Sequence, residues 1–111
     1  MERWIAAVNE GVRTGHWTAI EGLLRDDAQM EFVGSPVGPF AGRRAIVDAY
    51  RNQPPDDLLL TLGPVTREGD WLVSTYAWSG LPQEPAGEVH LRADAAGIER
   101  VRILYGRLTD R

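Results

Sequence analysis

Residues Asp26 to Tyr50 read DDAQMEFVGSPVGPFAGRRAIVDAY, and the order of elements in this stretch decides the fold. Ala28, Met30 and Phe32 alternate with Gln29, Glu31 and Val33, the period of two that marks a short strand. The loop that follows, Gly34 to Ala41, holds Pro36, Gly38 and Pro39, which are expected to prevent both helix and ladder pairing. After Gly42 the period changes again. Ile46, Ala49 and Tyr50 share a helical face, and that helix must stop before Pro54 and Pro55.

Working outward toward the N-terminus, Trp4, Ile5, Val8 and Val12 give the segment from Glu2 to Thr14 one apolar helical face, and Gly15 ends it. A Gly15-His16-Trp17 corner leads to Thr18, which with Glu21 has the spacing of a capping box for a second helix carrying Ile20, Leu23 and Leu24. Toward the C-terminus everything reads as strand and turn. Strands are expected near Leu58–Arg67, Trp71–Ser79, Glu88–Ala93 and Ile98–Gly106, with short turns at Glu68–Asp70 and Asp94–Gly97 and a longer link from Leu81 to Gly87. Two helices, a strand, a loop, a helix and then an antiparallel meander make an α+β domain. The expectation is a single domain, 1–111, with three N-terminal helices laid on one face of a strongly curved sheet.

Composition narrows the function classes. A chain of 111 residues, 43% apolar and 25% charged, is one core's worth of ordinary globular protein. Its net charge of −4 argues against a nucleic-acid partner. All twelve basic residues are Arg, which removes any Schiff-base lysine, and the absence of Cys removes thiolate catalysis, disulfides and thiolate metal sites. No apolar run is long enough to span a membrane or resemble a secretory signal, so no membrane partner and a cytoplasmic location are expected. Dinucleotide, Walker, nucleophile-elbow and zincin motifs are all missing, and His16 and His90 stand far apart without a carboxylate cluster, so neither a cofactor nor a metal is expected.

The element order, together with Asp26-Asp27-Ala28, Gly42-Arg43 backed by Ile46 and Tyr50, Gly63-Pro64-Val65 and the Asp94–Gly97 turn, resembles the nuclear transport factor 2-like superfamily, in its ketosteroid isomerase and SnoaL-like polyketide cyclase branch. The resemblance implies a cone-shaped barrel open at one end and often a homodimer. Combined with strand alternation, it points Trp4, Tyr50, Met30, Phe32, Leu72, Ser74, Tyr76, Trp78, Val89, Leu91, Val101, Ile103 and Tyr105 inward. Such a lining suits a flat hydrophobic compound bearing one or two oxygens. The same side chains could instead fill the interior and leave no cavity.

Carried over position by position, the isomerase's catalytic base falls at or beside Phe32, its oxyanion tyrosine at Trp4 and its oxyanion aspartate near Val89, so all three polar roles are missing. A one-residue slip would substitute Glu31 for Phe32, although alternation with Met30 points Glu31 to solvent. Arg92 and Asp94 have the spacing of a second, epoxide-hydrolase type of site, but Asp94 opens a turn and Arg92 is in antiphase to inward Leu91. Tyr50 alone matches a pocket residue of the isomerase branch. Tyr50 and Tyr76 are therefore the candidates to polarise a carbonyl, and His90, outward by alternation, becomes a candidate base only if the register shifts by one. The outward residues Val73, Thr75, Ala77, Ser79, Glu88, His90, Arg92, Arg100 and Arg102 form a face that could meet a second copy across a two-fold axis, or stay solvated. Two readings follow. One is a hydrophobic-ligand protein that isomerises, cyclises or dehydrates its substrate; the other is a dimerisation or ligand-sensing module without catalysis.

Overall fold

The computed structural model describes residues 1–105, in the order α1 (Glu2–Thr14), α2 (Thr18–Leu23), β1 (Leu24–Val33), β2 (Phe40–Ala41), α3 (Arg43–Asn52), β3 (Leu59–Glu68), β4 (Trp71–Trp78), β5 (Gly87–Asp94) and β6 (Gly97–Tyr105). Three helices pack on a six-stranded sheet of order β2-β1-β6-β5-β4-β3. All neighbouring strands are antiparallel except β1 and β6, which the intervening elements bring together as a parallel pair. Gly106, expected to end the last strand, lies outside the described residues.

Local chemistry accounts for the helices. Trp4, Ile5 and Val8 of α1 are buried with Ala7 and Gly11 on one face, and Gly15 ends the helix at φ 78°, its N–H donating to the Gly11 carbonyl. At Gly11 the absence of a side chain is a packing requirement, because a β-carbon there would overlap the Trp17 indole. The expected capping box does not form. Trp17 occupies the cap position of α2, which puts Thr18 inside the first turn, where its hydroxyl is not placed to cap. The chain turns extended at Leu24 (φ −93°, ψ 143°), so β1 begins before Asp26 rather than after Asp27. Buried Leu24 pairs with Ile98, and an irregularity in the register between Leu24 and Gln29 leaves Asp26 and Asp27 exposed.

The loop after β1 also departs from expectation. Phe40 and Ala41 pair antiparallel with Met30 and Gln29, and Gly42 N–H continues the ladder to the Ala28 carbonyl at 2.7 Å. Pro36, Gly38 and Pro39 confine the irregular backbone to the loop, and pairing resumes once they are passed. α3 then buries Ile46, Val47 and Tyr50 and stops two residues before Pro54. The meander from β3 to β6 turns through Gly69-Asp70, where Glu68 pairs with Trp71, and through Ala95-Ala96, where Asp94 pairs with Gly97.

Registers across the sheet define rows of side chains on the concave face. Met30, Val101, Leu91 and Leu72 form the deepest row; Phe32, Ile103, Val89 and Ser74 the next; Tyr105, Gly87, Tyr76 and Thr61 the third; Trp78 and Leu59 the outermost. The deep row closes the cone. Met30, Leu91 and Val101 belong to the core built with Trp4, Val8, Ile20 and Ile46. Among the described residues no helix is long and apolar enough to cross a membrane.

Candidate functional site

The third row explains why the cone stays open. Gly87 stands between Tyr76 and Tyr105, so β5 contributes no side chain between the two phenols. A β-carbon at this position would overlap the Leu104 carbonyl on β6, which makes glycine the residue that fits. The space left over is a cavity of about 870 Å³ that opens past Val37, Pro54, Pro55 and Leu81.

Aromatic rings make its walls. On one side Phe32 meets Phe40 edge-on at 6.2 Å and lies 5.9 Å from the Tyr105 ring. On the other Tyr76 meets Trp78 edge-on at 5.6 Å. Trp4 and Tyr50 form the helical side, their ring centroids 6.1 Å apart in a T-shaped pair. Val8, Leu59, Val89 and Ile103 complete the apolar surface.

Polar groups within this surface are few and mostly donors. Trp4 is 1% exposed, and its indole Nε1 has no hydrogen-bond partner. Leaving a buried N–H unpaired costs about 1–3 kcal/mol, and the Trp4 ring that carries it borders the cavity. Burial raises the Tyr50 hydroxyl far above the usual phenol range, and neighbouring Tyr76 and Tyr105 raise it further. The Tyr76 hydroxyl is pushed up to about 12, by burial first and by Tyr105 second. Both phenols therefore stay protonated at neutral pH.

The carboxylates of the cavity are at its mouth. Asp57 accepts from Leu58 N–H at 2.7 Å, Gly80 N–H at 2.7 Å and the Ser79 hydroxyl. These donors, Ser79 foremost, hold its pKa below the usual carboxylate value. They also tie the segment after α3 to the turn after β4, and Asp56 lies exposed beside it. Nothing in the alternation of the strands marks Asp57, because it sits in a Pro-Pro-Asp-Asp connection that reads only as a helix stop; the turn-forming Ser79-Gly80 is its partner signal. Trp17 and Gly11, which back Tyr50, escaped the sequence reading for a similar reason: their relationship is a ring against a bare backbone and has no period.

Of the residues assigned inward from sequence, Trp4, Tyr50, Phe32, Tyr76, Trp78, Val89, Ile103 and Tyr105 border the cavity. Met30, Leu72, Ser74, Leu91 and Val101 do not. Alternation assigns them to the correct face, but Met30, Leu72, Leu91 and Val101 form the row nearest the closed end, where all but Leu72 are core, and the Ser74 hydroxyl, one row out, donates to the Thr75 carbonyl at 3.2 Å. His90 also lies away from the cavity. It pairs with Val73 and Arg102 on the convex face, with Nε2 2.8 Å from Glu88 Oε1 and its ring 6.3 Å from Trp71, so it cannot reach a ligand held between Tyr50 and Tyr76.

Glu31 is likewise convex, 3.1 Å from Arg102, so the position beside Phe32 supplies no carboxylate to the cavity. Arg92 and Asp94 part company: Arg92 reaches Glu99 and lies over Trp71, while Asp94 pairs with Arg25. Among the described residues no group of three or more His, Asp or Glu is placed to hold a metal.

A family model described as a SnoaL-like domain matches residues 1–110. Among curated proteins no match is found. Among solved structures the chain is similar to an NTF2-like protein from Anabaena variabilis (TM-score 0.71, 16% identity, 96% of this chain and 86% of that one). It is also similar to an NTF-2 like protein of unknown function from Burkholderia xenovorans (TM-score 0.70, 14% identity, 99% and 85%). A third is a Catenulispora acidiphila protein with a ketosteroid isomerase-like fold, solved in complex with trimethylamine (TM-score 0.68, 16% identity, 95% and 83%). With the family model spanning nearly its whole length and the cone built as described, the chain belongs to the SnoaL-like domain family and has an NTF2-like fold.

Proposed function

We propose that the cavity binds a hydrophobic, oxygenated small molecule, with its carbonyl or hydroxyl oxygen held among Trp4, Tyr50 and Tyr76. The observation that carries this reading is the buried, unpartnered Trp4 Nε1 beside a cavity whose neighbouring phenols are held protonated. Donors set around an oxygen stabilise negative charge developing there, the electrostatic part of an isomerase, cyclase or dehydratase reaction. Membership of a family with isomerase-like neighbours supports the same class of chemistry. Tyr50 and Tyr76 act as hydrogen-bond donors, and Trp4 and Tyr105 shape the site. Proton removal falls to the substrate itself or to water, since among the described residues the cavity interior carries no base.

A second reading, a ligand-sensing or dimerisation module, is favoured by that missing base and by the convex face. There Trp71 lies under the Arg102 guanidinium at 4.5 Å and the Arg92 guanidinium at 5.3 Å, beside the Glu88–His90 pair. A large aromatic ringed by charge on an open sheet face is suited to a two-fold contact with a second copy.

Intrinsic tryptophan fluorescence titrated with planar ketones and phenols tests the first reading. Saturable quenching at micromolar ligand, weakened about three- to tenfold in Tyr76→Phe by loss of one hydrogen bond, is the expected result. A folded protein that responds to no such compound would leave the module reading.

A further inference from the structure

The cavity is unusual in the sign of its charge. Among the described residues its lining contains Asp56 and Asp57 and no Arg or His, in a chain whose other carboxylates repeatedly find a cation: Asp26 pairs with Arg43, Asp48 with Arg51 and Asp94 with Arg25. Among the described residues neither Asp56 nor Asp57 has an ion-pair partner. The Asp57 carboxylate is moreover fixed by three donors, two of them on Ser79 and Gly80, directly after Trp78. A fixed negative charge thus sits at the Trp78 end of an aromatic cavity.

Two further observations point to a ligand there. The aromatic pairs on the two walls, Phe32 with Tyr105 and Tyr76 with Trp78, supply ring faces of the kind that attract organic cations. Trp4, whose ring also borders the cavity, carries a buried Nε1 without a partner, a polar group that the fold leaves unsatisfied beside this space. Among the described residues an anionic ligand would meet carboxylates without an ion-pair partner at the entrance and no cation inside.

We propose that the ligand is an organic cation, a hydrophobic compound bearing a protonated amine or quaternary ammonium group, with the positive group seated at the mouth between the aromatic walls and the Asp56 and Asp57 carboxylates. The inference rests on the small-molecule reading above and narrows its ligand class. The oxygen end of such a compound points inward to Trp4 and its charged end outward. Phosphorylated and carboxylated metabolites are excluded by the same charge.

The test compares three probes on one benzyl frame by quenching of tryptophan fluorescence: benzyltrimethylammonium, its uncharged carbon isostere neopentylbenzene, and phenylacetate as the anion. The expected result is that the cation binds about tenfold tighter than the isostere, that phenylacetate does not bind, and that the cation's advantage falls at least about threefold in Asp56→Asn and in Asp57→Asn. Because Asp57 also ties two loops, Asp56→Asn, an exposed change, carries the comparison if Asp57→Asn fails to fold. Equal binding of cation and isostere, or an advantage unchanged in Asp56→Asn, overturns the cation proposal and leaves the small-molecule reading standing. Binding of none of the three overturns both.

Discussion

The indole of Trp17 stacks on the phenol ring of Tyr50, their centroids 5.1 Å apart and their planes 30° from parallel. Trp17 in turn lies against Gly11 of α1, so Tyr50 is held from behind by a ring that has no room to retreat. A residue that borders the cavity is thereby positioned by two that do not.

Gly11→Ala places a methyl group inside the Trp17 ring position. The expected cost is about 1–3 kcal/mol, the usual range for overpacking a filled core, read from urea denaturation. Ligand affinity falls as well, because the displaced indole no longer fixes Tyr50. Loss of stability with unchanged affinity would show that Tyr50 is positioned without Trp17.

Asn9 joins the helical layer to the sheet by a two-way pair. Its amide donates to the Leu59 carbonyl at 2.9 Å and accepts from the Leu59 N–H at 2.7 Å. Asn9→Ala removes both bonds and is expected to destabilise the fold by about 2 kcal/mol. Asn9→Asp retains the acceptor, loses the donor and should fall between the two. Equal stability of all three proteins in denaturant would contradict this role.

Tyr76 sets an alkaline limit. Its hydroxyl ionises at about 12 in the folded chain, against 10.0 ordinarily. Folding therefore favours the neutral phenol: the contribution is complete below pH 10 and is lost as pH climbs toward 12. Stability should decline across that window, and less steeply in Tyr76→Phe. The ultraviolet titration of the folded wild type should show a phenol ionising at about 12 that the variant lacks, Tyr50 remaining late in both.

Asp57 acts in the opposite direction. Its folded pKa is depressed by Ser79, Gly80 and Leu58, so its contribution is present above the ordinary carboxylate value of 3.8 and is lost as pH falls through the depressed one. Asp57→Asn should flatten that part of the acid unfolding profile. An unchanged acid profile would mean that the three donors do not hold the carboxylate in solution.

Much of the fold is legible because its signals are periodic. Met30 and Phe32 against Glu31, and Val89 and Leu91 against His90, announce which side of each strand is apolar, and Gly15 and Pro54 announce where helices end. Depth along a face is not periodic. Leu91 and Val89 alternate identically, yet one closes the cone and the other borders the cavity, a difference set by which elements cover each row. The two-residue β2 is too short to show a period. Asp57 takes its role from a turn more than twenty residues away, a relationship that only the folded chain creates.

The Trp4 indole is observed most directly in the ¹H–¹⁵N spectrum of the tryptophan side chains during titration with 2-acetylnaphthalene. Trp4 and Trp78 border the cavity, Trp17 lies behind Tyr50, and Trp71 on the convex face serves as an internal control. A saturable downfield shift of the Trp4 Nε1 proton, with Trp71 unmoved, is the predicted result. An unmoved Trp4 signal, with shifts confined to Trp71 or absent altogether, would contradict it.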